Sequence, residues 1–268
     1  MLKDITLGQY FPGNSIAHKL DPRTKILLVT LYIIALFSAK GWTGYAVMAV
    51  TLAACVKVSH VGLRALVRGL KPLVFIIAFT GILNMFFTPD THYLWEWGIL
   101  RVSVKGIENA LFMVIRIMLL VMGTFLMTYT TSPIRLTDGL ESLLNPLKKI
   151  HVPVHELAMM MSIALRFIPT LIEETDKIMS AQKARGADFD SGNIFQKAKA
   201  LVPILVPLFI SAFRRADELA TAMECRCYHG GEGRTKLHVL KYQRRDYVAL
   251  AGGVVILALV VVLRRLGA

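Results

Sequence analysis

Cysteine, acidic charge and the signatures of nucleotide or metal chemistry are all scarce in this chain. Three cysteines, Cys55, Cys225 and Cys227, are too few for a disulfide framework. The close pair has no His or further Cys at ligand spacing, so no metal site is expected, and small, half-apolar filler at a helix end is the role the pattern favours. No Gly-x-x-x-x-Gly-Lys-Ser/Thr loop is present to cradle nucleotide phosphates; the run from Gly231 through Gly233 to Lys236 has the wrong order and spacing. His-Glu-x-x-His and Gly-x-Ser-x-Gly are missing, and the seven His residues are scattered over termini and loops. The residues therefore offer no catalytic constellation and no cofactor site. The first twenty residues lack an apolar core, so a cleavable signal peptide is not expected there.

Apolar residues are what the chain has in excess. They make up 55% of its 268 residues, and the mean hydropathy is +0.55. A soluble domain would show roughly 45–50% apolar residues, so an all-α integral membrane protein is the first reading. Lys and Arg number 31 against 18 acidic residues, a net charge of +13. Basic residues flanking cytoplasmic helix ends explain that excess. No aromatic-interleaved basic run of the kind that binds single strands is present, so nucleic acid is not an expected partner and the lipid bilayer is.

Apolar runs divide the chain into about five or more spans. Lys19, Arg23 and Lys25 precede the first run, 26–39, and place the amino terminus in the cytoplasm by the positive-inside rule. A second run reaches about residue 58, with Trp42 and Tyr45 expected in an interfacial aromatic belt. Lys57, Arg64, Arg68 and Lys71 mark the next cytoplasmic segment. Spans over about 73–87 and 107–129 follow, joined by an aromatic loop from His92 to Trp97 suited to the outer interface. The second of these contains Arg116, for which the sequence supplies no partner. Residues 1–131 thus form an amino-terminal transmembrane region of about four spans, 132–246 a cytoplasmic region of long amphipathic helices, and 247–268 a last span. With five spans, Arg264 and Arg265 lie outside, against the charge rule.

Two helix ends within 132–246 resemble each other. One runs from Asp176 to Arg185 and Gly186, the other from Asp217 to Arg226 and Cys227. Each has Ser or Thr followed by Ala, and Arg nine residues after Asp. Nine residues are about two and a half turns, so Asp and Arg lie on largely opposite sides and do not pair. Arg is also favoured at a helix end by the helix dipole alone. A repeated Arg with small neighbours (Ala184 and Gly186; Cys225 and Cys227) instead suits close docking of a carboxylate-bearing partner. Gly186 is the expected stop of the first helix and Gly230-Gly231 of the second. The second helix carries an apolar stripe at Phe209, Phe213, Ala216, Ala220, Met223 and Cys227, opposite Arg214, Asp217, Glu218, Thr221 and Glu224.

Several motifs in order resemble one family. They are Thr130-Thr131-Ser132-Pro133, Leu143-Leu144-Asn145-Pro146, Val152-Pro153-Val154-His155-Glu156, Leu165-Arg166-Phe167-Ile168-Pro169, Ala184-Arg185-Gly186 and Glu224-Cys225-Arg226-Cys227-Tyr228-His229-Gly230. The chain is similar throughout to the transmembrane T component of energy-coupling factor transporters. The resemblance implies a bacterial plasma-membrane scaffold that joins two ABC-type ATPase subunits to a substrate-binding S component for vitamin or metal-ion import. It implies ATPase docking at Ala184, Arg185, Gly186, Cys225, Arg226 and Cys227, with ATP hydrolysis in the partners. The second motif departs from Ala-Arg-Gly in both flanks. A self-contained secondary transporter is the alternative; it calls for inverted repeats and polar groups at mid-membrane, of which the chain has little beyond Arg116. An integral-membrane enzyme would need a cluster of His or carboxylates at one membrane face, and the sequence offers none.

Overall fold

The computed structural model describes residues 10–88, 93–97, 100–187, 189, 194–231 and 239–266. The first nine residues, the turn at Pro89-Asp90 with His92, most of the 187–193 loop and the 233–236 run lie outside them. The protein is an all-α membrane fold with one short antiparallel hairpin, β1 (Tyr93–Trp97) and β2 (Leu100–Ser103). Among the described residues, five helical segments are long and apolar enough to cross a bilayer: residues 41–59, 63–87, 104–130, 154–184 and 244–265. The chain divides into two compact units, 8–140 with 240–268, and 141–239.

The first unit holds α1 (Ile16–Lys19), α2 (Pro22–Ser38), α3 (Gly41–Ser59), α4 (Leu63–Leu70), α5 (Val74–Phe87), α6 (Val104–Thr130) and α10 (Arg244–Arg265). Asp21 caps α2 by accepting from the Arg23 N–H, with Pro22 at the first turn, the pairing expected of a helix start. Tyr32 donates to the Leu119 carbonyl and Lys25 to the Thr130 carbonyl, so α2 and α6 are antiparallel. Gly123 makes that approach close, because a Cβ there would meet the Tyr32 ring at 2.5 Å. Helix α10 runs parallel to α2: Asp246 accepts from the Asp21 N–H at one level, and Gly253 faces Leu28 a turn or two further on. Leu36, Met48, Leu66 and Val260 are fully buried at the centre of this packing.

The alignment sorts the charges. Lys25, Lys57, Arg64, Lys71, Arg244 and Arg245 all fall at the end where α2, α5 and α10 begin and α3 and α6 finish. Tyr45, expected in an interfacial belt, is 3% exposed and stacks on Phe112. Its hydroxyl accepts a 2.9 Å hydrogen bond from Arg116 Nε. Arg116 thus has a partner 71 positions away, and the aromatic is drawn inward to satisfy a cation within a span.

The second unit is dominated by two 31-residue helices, α8 (Val154–Ala184) and α9 (Ile194–Glu224). Helix α7 (Pro133–Leu144) and a 3-10 turn at Asn145–Ile150 lead into them. Helix α9 runs unbroken through Pro203 and Pro207, and α8 through Pro169.

Candidate functional site

Helices α8 and α9 are antiparallel neighbours. Glu174 accepts hydrogen bonds from Ser211 Oγ and, at 2.9 Å, from Arg215 Nη2, while Gln182 Nε2 donates to the Pro203 carbonyl. Moving forward along one helix moves backward along the other. This clamp is polar and half-buried. The facing side of α9 therefore passes through Ile204, Ser211, Arg215, Leu219 and Met223, and shares only Met223 with the apolar stripe. Phe209 is 61% and Phe213 69% exposed. The rest of the stripe is outward, since Glu174 engages Ser211 and Arg215 on the other face of α9, where Ile204 is also buried.

Each helix ends in the same geometry. At the first end Arg185 is the C-cap and Gly186 follows at φ +88°. The Gly186 N–H donates to the Lys183 carbonyl and the Ala187 N–H to the Gln182 carbonyl, each at 3.0 Å. These are the two bonds of a Schellman cap, with glycine in its left-handed position. At the second end the Cys227 N–H donates to Glu224 at 2.8 Å and the Tyr228 N–H to Met223 at 3.0 Å. Cys227 is left-handed at φ +57°. This is a second Schellman cap, with Arg226 where Arg185 stands in the first. The stop thus falls at Cys227, three residues before the Gly230-Gly231 expected to provide it.

The repeated hydroxyl also has a shared role. Ser180 Oγ donates to the Asp176 carbonyl at 2.7 Å, and Thr221 Oγ1 to the Asp217 carbonyl at 2.9 Å. Ala184, Arg185, Gly186, Cys225, Arg226 and Cys227 are all exposed. Among the described residues neither guanidinium has an ionic or hydrogen-bond partner. No group of three His, Cys, Asp or Glu that could hold a metal occurs among the described residues.

The two tips are far apart. Gly231, just past the second tip, lies so close to His155 that a Cβ would meet its ring at 2.3 Å. His155 Nδ1 in turn donates to Glu141 at 3.0 Å. Arg226 is therefore anchored near the start of α8, and Arg185 caps its end. The clamp lies 11 residues from each tip, so at 1.5 Å per residue the tips stand roughly 33 Å apart along the pair. Both arginines are legible in the sequence and this anchor is not, since nothing local links Gly231 to His155 and Glu141.

Residues 13–237 match the family described as cobalt transport protein, CbiQ. The chain is 56% identical over 248 residues to the energy-coupling factor transporter transmembrane protein EcfT of Thermosediminibacter oceani, covering 92% of this chain and 93% of that one. It is 52% identical over 263 residues to the EcfT of Ruminiclostridium cellulolyticum, covering 98% of each. The EcfT of Bacillus subtilis is 47% identical over 264 residues, 98% of this chain and all of that one. With matches spanning the spans and both capped helices alike, the chain belongs to the family of transmembrane T components of energy-coupling factor transporters.

Proposed function

We propose that this T component couples two ABC-type ATPase subunits to a substrate-binding S component, and that Arg185 and Arg226 are the two ATPase-docking points. The observation that carries the reading is the pair of matching Schellman-capped arginines at opposite ends of one antiparallel helix pair. Consecutive antiparallel helices have their C-termini at opposite ends, so one hairpin offers two like surfaces to two partners. Each cap holds the backbone while leaving the guanidinium free to make bidentate bonds to carboxylates in a groove. The neighbours are small, so a partner surface can approach the backbone closely.

Residues 132–246 act as the coupling region on the cytoplasmic side of the bacterial plasma membrane, between the spans of 1–131 and that of 247–268. The basic end of the first unit faces the cytoplasm, as the positive-inside rule requires. ATP hydrolysis takes place in the partner chains, and vitamins or metal ions are the cargo class. The outward apolar stripe of α9 and the exposed Met160 and Met161 of α8 are the surface offered to the S component. Converting Arg185 and Arg226 together to Glu abolishes ATP-dependent uptake and reduces co-purification of the ATPases. Uptake at the normal rate in that double variant would overturn the docking assignment.

A further inference from the structure

We infer that the groove between α4, α5 and α6 binds an anionic phospholipid, its phosphate held by Arg64, Arg68 and Lys71. Helix α4 is short and two-faced. It buries Leu66 and Leu70 and sets its cations on the other side. Arg64, Arg68 and Lys71 stand at spacings of four and three, so they form one stripe that continues from α4 into the 3-10 turn at Lys71–Leu73. All three are exposed, and none has an acidic partner among the described residues.

A groove of about 850 Å³ runs beside the stripe. Its walls are Val67, Val74, Ile77, Val114 and Met118, with no acidic or aromatic side chain among the lining residues. The polar content is thus entirely cationic and gathered at one end, and the rest is apolar. That end coincides with the level where α3 finishes and α5 begins, which is the bilayer interface, because three cations in hydrocarbon would be costly. An amphiphile with an anionic head and acyl tails matches both halves. A choline headgroup would set its ammonium against the same cations. A transmembrane helix of another protein fits less well, because tight helix contacts in lipid favour small residues and these walls, Ala78 apart, are branched or long. Basic pockets between spans on the cytoplasmic side are where anionic headgroups are recognised.

The test uses the full chain in phosphatidylcholine nanodiscs doped with phosphatidylglycerol, and measures the phosphatidylglycerol retained per protein after detergent exchange. The native chain enriches phosphatidylglycerol over phosphatidylcholine. The variant R64Q/R68Q/K71Q, with an unchanged melting temperature, loses that enrichment by about tenfold or more, given three cations at the headgroup. The variant K57Q/R244Q/R245Q, which removes the same charge from the same end, retains it. V74W, which fills the groove, releases the lipid with all three cations in place. No enrichment in the native chain, or equal loss in both triple variants, would overturn the site. So would displacement of the lipid by inorganic phosphate, or release of a co-purified protein by R64Q/R68Q/K71Q while the lipid stays.

Discussion

Replacing Gly186 with Ala isolates the backbone requirement of the first tip. A Cβ built on Gly186 meets nothing within 4 Å, so the substitution creates no clash. Its whole effect comes from φ +88°, which an L side chain rarely adopts. The left-handed penalty is roughly 1–2 kcal/mol. Reduced freedom of the open chain offsets it by about 0.4–1 kcal/mol. The net is about 1 kcal/mol, or roughly a fivefold rise in opening of the two cap hydrogen bonds. Hydrogen exchange of a peptide covering residues 180–187 reads this directly, and affinity for the ATPase pair reads its consequence. Both should worsen in G186A with Arg185 untouched, and G186N should recover most of each because Asn tolerates the left-handed region. If G186A exchanges like the native chain, or G186N is as impaired as G186A, the cap does not hold the tip. If exchange rises while affinity is unchanged, the cap does not serve docking.

The remaining expectations concern the second tip and the first unit. C227G relieves a left-handed cysteine and should slow exchange at Cys227 and Tyr228; faster exchange would contradict the strain at φ +57°. G231A drives a Cβ into the His155 ring and should lower the melting temperature, with H155A/G231A restoring it; absence of rescue would exclude that contact as the cause. Y45F removes the acceptor of Arg116 and should cost about 1–3 kcal/mol, read as a lower melting temperature, whereas W42F at a 56% exposed ring should cost far less. Equal losses would mean that the hydroxyl is not what matters.

Much of this architecture is legible in the order of residues. Long apolar runs bounded by Asp21-Pro22 or Ser132-Pro133 announce helices, because capping and lost amide donors are local effects. Gly186 is readable for the same reason. Cys227 is not: a left-handed cysteine has no compositional sign, and the two glycines just beyond it are the better-looking stop. The apolar face of α9 is legible from its periodicity, but which way it turns relative to α8 is not, because the contact that decides it is long-range. Here Glu174 engages Ser211 and Arg215 and turns the apolar side away. Tyr45 is misread because Arg116 is distant in sequence and adjacent only once α3 and α6 run side by side.

Under the docking proposal, that clamp also bears on how one helix pair serves several partners. Glu174 lies 11 residues from Arg185, and Arg215 lies 11 residues from Arg226. Each tip therefore extends roughly 16 Å beyond a shared contact near the middle of the pair. An apolar seam along the whole length would bury Phe209 and Phe213 and remove the α9 part of the surface proposed for a third chain. A compact ionic contact fixes the rotation of α9 with three side chains and leaves its apolar stripe uncovered. Under the docking proposal, displacement of either tip is referred to that contact, and the stripe turns with it. The polar residues facing each other across α8 and α9 are thus what keeps the apolar ones available.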